Sequence, residues 1–264
     1  MGEDIVIAFE NVDKSFGDKD VHQGLSIEVR RGETLSVIGG SGEGKSVFLK
    51  QIMGLYKPDA GRISIDGVDI VPLPERKLFK IRRRLGYLFQ AGALFDSLSV
   101  YENIAYPLRE HFRKMKETEV RSIVMEKIET VGLEADTAKL MPVELSGGMR
   151  KRVSLARAIA TDPEIILWDE PTTELDPSNV HRIVNLIKRL KFSREGKPIT
   201  SIAVTHDMES IFAFSDRVAM IHDKKIIAVD TVANMRDSKD QRVYDFIHGY
   251  LHPALTENNH DGKD

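Results

Sequence analysis

The sequence predicts an α/β fold carrying an all-helical insertion. Three observations predict it. Gly39-Gly40-Ser41-Gly42-Glu43-Gly44-Lys45-Ser46 fits the pattern G-x-x-x-x-G-K-[ST] and lies between an apolar run, Leu35 to Ile38, and a helical pattern through Val47, Phe48, Leu49, Ile52 and Met53. A second apolar run, Ile165-Ile166-Leu167-Trp168, ends in Asp169-Glu170, as a buried parallel strand does when it delivers carboxylates at its C-terminal end. From residue 91 to about 158 the strand patterns stop and helical ones take over.

The first stretch dictates a chemistry. Its glycines let the backbone curl so that successive N–H groups point inward and form a nest for phosphate oxygens. The helix that follows adds free N–H groups and the positive end of its dipole. Lys45 is then placed for the β- and γ-phosphates of a nucleoside triphosphate and the Ser46 hydroxyl for Mg²⁺. Asp169 is the expected metal carboxylate, and Glu170 the group that polarises an attacking water.

Composition narrows the class. A chain of 264 residues, 41% hydrophobic and 30% charged, has the make-up of a globular protein with a large core. With 38 basic against 41 acidic residues the net charge is -3, so no basic field points to nucleic acid. The absence of cysteine excludes disulfides, thiol chemistry and cysteine-based zinc sites. No apolar run reaches the roughly 18 residues of a membrane span, and Met1-Gly2-Glu3-Asp4 does not resemble a secretory signal. A cytoplasmic chain, held at a membrane only by a partner, is expected.

In chain order, Ile5 to Phe9 and Leu25 to Val29 read as antiparallel strands with one wet face, and Phe16 as an exposed aromatic in a polar turn ending at Gly17. Gly54 stops the loop helix, and Arg62 to Asp66 alternates as a strand. Pro74 to Arg84 is a basic amphipathic helix, and Leu85 to Phe89 a short strand with Gln90 at its end. Ser99-Val100-Tyr101-Glu102 has the form of a capping box, and Pro107 is expected to end or kink the helix it opens. Val120, Ile123, Val124, Ile128 and Val131 form a helical stripe stopped by Gly132.

Leu145-Ser146-Gly147-Gly148-Met149 begins another helix, with Ser146 as N-cap. Two glycines in a first turn disfavour helix by roughly 1 kcal/mol each, which makes sense where a phosphate approaches the N–H groups closely. Pro177 opens a helix with the stripe Val180, Ile183, Val184, Ile187 and Leu190. Ser201 to Val204 is a further buried strand that presents Thr205-His206-Asp207 at its end, which makes His206 a candidate γ-phosphate sensor. Val218 to Ile221 and Lys225 to Val229 flank Asp223-Lys224 as a hairpin, a helical segment covers Gln241 to Tyr250, and the polar residues from Pro253 read as disordered.

These motifs together resemble the nucleotide-binding subunit of ABC transporters from Ile5 to about Gly249: Phe16, the loop 39–46, Gln90, Leu145-Ser146-Gly147-Gly148, the strand 165–169, Glu170, Leu175-Asp176 and His206, in that order. The resemblance implies a RecA-like P-loop ATPase core with an antiparallel β edge over 1–90 and 159–230, a helical subdomain over 91–158, and a C-terminal extension and polar tail over 231–264. It implies that Phe16 stacks on adenine and that Gly39, Gly40, Ser41, Gly42, Glu43, Gly44, Lys45 and Ser46 hold ATP. Mg²⁺ would be held by Ser46, Asp169 and Gln90. Gln90 would also touch the attacking water and a transmembrane permease, with Glu170 as the catalytic carboxylate and His206 on the γ-phosphate. Two copies would pair head to tail, each ATP lying against Ser146, Gly147 and Gly148 of the other.

A narrower resemblance, in Phe89 to Asn103, Tyr106 to Glu110 and Leu140-Met141-Pro142, is to the Mla/Mce-type (Ttg2A-like) lipid-transport ATPases. It implies a bacterial inner-membrane permease, a lipid-binding substrate protein and a small accessory subunit as partners. Two positions depart from the family pattern. Glu43 stands inside the anion nest, and Glu174 stands where a glycine is usual. Both raise the alternative of a weakly active or regulatory nucleotide-binding subunit. A soluble ABC ATPase without a transporter is the other alternative.

Overall fold

The computed structural model describes residues 4–90, 92–192 and 196–251. The chain divides into two compact units, Met1–Val71 with Val204–Asp264, and Pro72–Ala203.

The first unit begins with two strands, β1 (Ile5–Phe16) and β2 (Lys19–Arg30), which form a long antiparallel hairpin. β4 (Ala60–Ile65) pairs with β1, and β5 (Val68–Asp69) with β4, giving the order β2-β1-β4-β5. The hairpin is longer than the apolar alternation predicts. Its outer half is polar and is held by side chains: Asp59 accepts from the Ser15 amide at 2.6 Å and the Lys14 ammonium at 2.9 Å. Phe16 therefore closes a strand, opposite Lys19, instead of lying in the turn.

β3 (Thr34–Ile38) is buried at every residue and leads through the glycine loop into α1 (Lys45–Ile52). It runs parallel to β9 (Arg217–His222), Ile38 beside Met220. β9 turns back through Asp223-Lys224 into β10 (Lys225–Thr231); both turn residues have positive φ (48° and 68°), the two-residue hairpin geometry that matches strand twist. Three helices complete the unit, α7 (Met208–Phe214), α8 (Val232–Arg236) and α9 (Gln241–Leu251). Met208, Ile211, Met235, Val243 and Ile247 pack with Ile38, Val218 and Met220 into one core, each large apolar side chain contributing about 1.5–3 kcal/mol by leaving water. The first two of these helices carry no long periodic stripe, and the sequence reading misses them. The polar residues from Pro253 lie outside the described residues.

In the second unit β6 (Leu85–Leu88) and β7 (Ile165–Asp169) run parallel and are wholly buried, and β8 (Thr200–Val204) is a further buried strand. α2 (Glu75–Arg82) precedes β6. Between β6 and β7 the described residues form helices and no strand: α3 (Val100–His111), α4 (Glu117–Thr130), two short 3₁₀ turns, and α5 (Gly147–Ala158). Ser99 and Glu102 cap α3 reciprocally, as the capping box predicts. Pro107 does not end that helix, which continues to His111. Pro107 sacrifices one backbone bond, but the buried Ile104, Ala105 and Leu108 on either side hold the last turn in place. α6 (Pro177–Arg189) follows β7 with Asp176 as its N-cap, the Asn179 amide donating to the carboxylate at 3.1 Å.

Candidate nucleotide-binding and hydrolysis site

In the first unit the loop from Gly39 to Gly44 joins the end of β3 to the start of α1. Gly44 is the N-cap of α1 at φ 87°, and a Cβ there would come within 2.5 Å of Val21 Cγ1 and 2.7 Å of His22 Nε2. Only glycine satisfies both the dihedral and the space. The Lys45 ammonium folds back over the loop and donates to the carbonyls of Gly39 at 2.7 Å and Gly40 at 2.8 Å, so its charge sits at the mouth of the nest. Ser46 is half-buried in the first turn of α1.

The Glu43 side chain passes beside Gly40, and its carboxylate accepts from the Lys224 amide at 3.3 Å, in the β9–β10 turn. Phe16 is half-exposed and packs edge-on against Tyr56, with ring centroids 5.0 Å apart. His206 is exposed between β8 and α7, and the neighbouring Asp207 caps α7 through Ser210.

Beneath the loop lies a group the sequence reading missed. His22 is 1% exposed, its Nε2 3.2 Å from the Gly44 carbonyl and its Nδ1 3.0 Å from Gln51 Oε1. Burial lowers its pKa, against the opposing pull of the Gly44 and Gln51 contacts. A neutral ring has one N–H, which serves Gly44; Nδ1 is then an acceptor. Gln51 Nε2 is buried without a hydrogen-bond partner among the described residues, and a half-turn of the amide places it on Nδ1.

The second unit assembles the acids. β7 carries Asp169 to its buried C-terminal end, where Oδ2 accepts from the Tyr87 hydroxyl at 2.8 Å. Burial, followed by the Asp169 charge, pushes the Tyr87 pKa well up, so the phenol stays a donor. Glu170 follows at φ 49°, and its Oε2 accepts from Thr173 Oγ1 at 2.9 Å. Glu174 also has positive φ, 65°. The structure thus supplies the reason a glycine suits position 174: the backbone is left-handed there, and a glutamate bears a strain of about 1–2 kcal/mol.

Lys151, on α5, is a second missed group. It is 5% exposed, and its ammonium donates at 2.8 Å to the carbonyl of Gln90 and at 2.8 Å to that of Glu170. The Gln90 residue itself is exposed at the end of β6. Ser146 caps α5, its hydroxyl accepting from the Met149 amide at 3.3 Å. The two glycines after it differ. A Cβ on Gly147 would meet nothing within 4 Å, whereas one on Gly148 would lie 2.6 Å from Asn179 Nδ2 and would oblige that side chain on α6 to move.

Beside Gln90 lies an apolar groove of about 420 Å³, walled by Tyr87, Phe89, Phe95, Tyr106 and Pro107. Its lip is held firmly. Asn103 accepts from the Phe95 amide at 2.9 Å and donates to the carbonyls of Phe95, Leu98 and Ser99 at 2.9–3.1 Å. Arg157 donates to the carbonyls of Gly92 at 2.8 Å and Ala93 at 2.7 Å.

Residues 22–173 match the family model described as ABC transporter, and the chain belongs to that family as an ABC-type ATPase. It is 43% identical over 244 residues to the intermembrane phospholipid transport system ATP-binding protein MlaF of Haemophilus influenzae, covering 92% of this chain and 90% of that one. It is 40% identical over 245 residues to a Mycobacterium leprae protein named "probable ribonucleotide transport ATP-binding protein mkl", covering 93% of this chain and 69% of that one. Among solved structures it superimposes on the dimeric ATP-binding cassette MJ0796 in a post-hydrolysis state with ADP and Pi, with a TM-score of 0.79 and 34% identity over 86% of this chain and 98% of that one. The fold expected from the sequence, an α/β ATPase core with an antiparallel β edge and a helical insertion, is the fold of this family.

Proposed function

We propose that the chain powers a separate membrane permease which moves a phospholipid or another hydrophobic molecule between bacterial membranes. The observation that carries this reading is the groove beside Gln90. Phe95 and Tyr106 are 43% and 44% exposed on its wall. An apolar patch with aromatic anchors is costly to leave wet and suits a partner segment. No helix of the described residues is long and apolar enough to cross a membrane, and we assign the membrane path to a second polypeptide seated in this groove. In this reading the chain works at the cytoplasmic face of the inner membrane, with a lipid-binding substrate protein and a small accessory subunit as further partners. The likeness to MlaF supports phospholipid as the cargo over ribonucleotide. Two copies would pair around ATP, as the dimeric MJ0796 structure suggests.

In this reading the amides of residues 39–46 and the Lys45 charge hold the β- and γ-phosphates, and Phe16 stacks on the base. Lys45 exchanges two neutral carbonyl contacts for charge-assisted bonds to phosphate. Ser46, Asp169 and Gln90 offer oxygen donors only, the set Mg²⁺ prefers, and the Tyr87 hydroxyl already orients the Asp169 carboxylate; these residues fit the ion. When bound, Mg²⁺ neutralises charge on the phosphate oxygens. Glu170 acts as base toward the attacking water, which Gln90 orients, and His206 donates to the γ-phosphate. Ser146, Gly147 and Gly148 offer helix N–H groups to the ATP of the other copy, with Gly147 as the open approach. We take the core as 1–90 with 159–230, the helical subdomain as 91–158, and 231–264 as the C-terminal extension.

The test is purification of the intact complex from its native membrane into lipid nanodiscs, with identification of co-purifying proteins and lipids. Glu170→Gln should keep ATP affinity within about threefold and lose at least about 100-fold in hydrolysis, because an amide cannot act as base. A variant hydrolysing at the wild-type rate moves the base elsewhere, and recovery without any membrane protein favours a soluble ATPase. One observation favours a second reading, a weakly active regulatory subunit: the strained Glu174 in the loop after Glu170. Turnover of the wild-type complex below about one per minute supports that reading.

A further inference from the structure

Lys151 is a charged residue shut away from water, and none of the roles above uses it. It is 5% exposed on α5, and its ammonium makes bonds of 2.8 Å to two backbone carbonyls, those of Gln90 and Glu170. Both carbonyls belong to residues with proposed roles in hydrolysis, one at the end of β6 and the other just past β7. A buried ammonium is expensive unless its hydrogens are satisfied and opposite charge lies near. Two of its three hydrogens rest on carbonyls; burial pulls its pKa down, and the charges of Glu174, Glu170 and Asp169 oppose that pull. A neutral, apolar side chain would fill this helix position at less cost, so the charge needs a reason.

The reason lies in the backbone of Glu170. Its φ of 49° is left-handed, a region that non-glycine residues hold only where surrounding contacts fix it. Pro171 follows, so the next residue has no N–H to anchor the turn. One contact on the Glu170 carbonyl is the Lys151 ammonium, at 2.8 Å. Fixing that carbonyl fixes the peptide plane, and the peptide plane sets the direction of Cα–Cβ from which the carboxylate extends. Thr173 Oγ1 then holds the carboxylate at 2.9 Å. The same ammonium grips the carbonyl of Gln90, at the start of the segment that borders the apolar groove.

We propose that Lys151 is a positioning residue for hydrolysis: its ammonium locks the left-handed Glu170 peptide and so aims the Glu170 carboxylate, in register with the Gln90 segment. The inference rests on the reading of Glu170 as the base. A bond made only to backbone carbonyls asks for a long cationic donor, which arginine also supplies, and it predicts an effect on the chemical step rather than on nucleotide binding.

The experiment compares wild type, Lys151→Met, Lys151→Gln, Lys151→Arg and Glu170→Gln in the purified complex in nanodiscs, measuring kcat, KM and the Kd for ATP. Lys151→Met should lower kcat at least tenfold while KM and Kd stay within threefold, and Lys151→Arg should recover at least half of the wild-type kcat. Lys151→Gln, which keeps a donor but no charge, should fall between them, and it decides the question if the methionine variant does not assemble. The proposal is overturned if Lys151→Met, or failing that Lys151→Gln, keeps kcat within twofold of wild type. It is also overturned if kcat, ATP affinity and melting temperature fall together with no recovery in Lys151→Arg. An inactive Glu170→Gln beside an active Lys151→Met defeats this inference alone, whereas an active Glu170→Gln defeats the base assignment and this inference with it.

Discussion

The glycine loop of residues 39–46 and the acidic loop of residues 169–176 solve the same backbone problem in opposite ways. Each must expose functional groups on a tightly curled chain. The first loop meets its positive φ angles with glycine, as at Gly42 (84°) and Gly44 (87°), where they carry no Cβ strain. The second meets them with glutamate, at Glu170 (49°) and Glu174 (65°), and leans on its surroundings: Lys151 on one carbonyl and Thr173 on one carboxylate. A loop that binds through backbone N–H groups can dispense with side chains. A loop that must present a carboxylate cannot, and it carries the strain instead.

The sharpest way to break this contrast is at Lys45, the one side chain on which the glycine loop depends for charge. Lys45→Ala should weaken ATP binding by at least about 100-fold, roughly 3 kcal/mol. Isothermal titration of ATP measures it, and unchanged affinity would show that the backbone nest alone suffices.

His22 tests the support beneath the same loop. Its folded pKa lies below the ordinary value of 6.5 because the ring is buried. Above that value both the folded and unfolded states hold it neutral. As pH falls below 6.5, the unfolded chain takes up a proton that the folded one resists, so stability drops until the lower, folded pKa is reached. Denaturant unfolding should therefore lose up to about 1.4 kcal/mol per pH unit more in wild type than in His22→Leu across that window. Parallel curves for the two proteins would mean that the ring takes up its proton as readily in the fold as in the unfolded chain.

A smaller effect is expected at Glu174. Glu174→Gly removes about 1–2 kcal/mol of left-handed strain but adds roughly 0.5–1 kcal/mol of chain entropy, leaving a gain near 1 kcal/mol. It should also raise turnover at low salt and strengthen ATP-driven dimerisation. Chemical denaturation, ATPase rate and sizing chromatography together decide it, and equal values throughout would show the strain to be fully offset. Smallest of all is Glu43→Thr. With the carboxylate directed to the Lys224 amide, ATP affinity should change by less than about 1 kcal/mol. A tenfold gain would show the charge to act on the phosphates.

The elements legible in the sequence are those specified by neighbouring residues. The capping box at Ser99, the N-cap at Ser146, the helix opened by Pro177, the turn at Asp223-Lys224 and the buried runs of β3 and β7 all carry their signal within a few residues. The outer half of the β1–β2 hairpin has no such signal, because a residue 44 positions away, Asp59, holds it. Of the two outcomes expected at Pro107, the ending does not occur, because buried neighbours carry the helix on to His111. Of the site, the loop, the two acids and the capped helix could be read directly, since their chemistry is tied to a fixed spacing. His22, Tyr87 and Lys151 could not, because each acts through a partner distant in sequence. A faint clue existed for the last: Gly148, Lys151, Leu155 and Ala158 fall on one face of α5, so a lysine stood in a buried row.

The lip of the apolar groove, stitched by Asn103 and Arg157, has a thermodynamic consequence for whatever docks there. Its backbone between Gly92 and Ser99 is already fixed by hydrogen bonds before contact. A partner seated there would meet a preformed socket and incur little ordering penalty on this side, so modest buried area would convert efficiently into affinity. The same rigidity makes the socket a lever. Force applied by a segment seated there would not be absorbed by a yielding loop and would pass into the helices on which Asn103 and Arg157 stand.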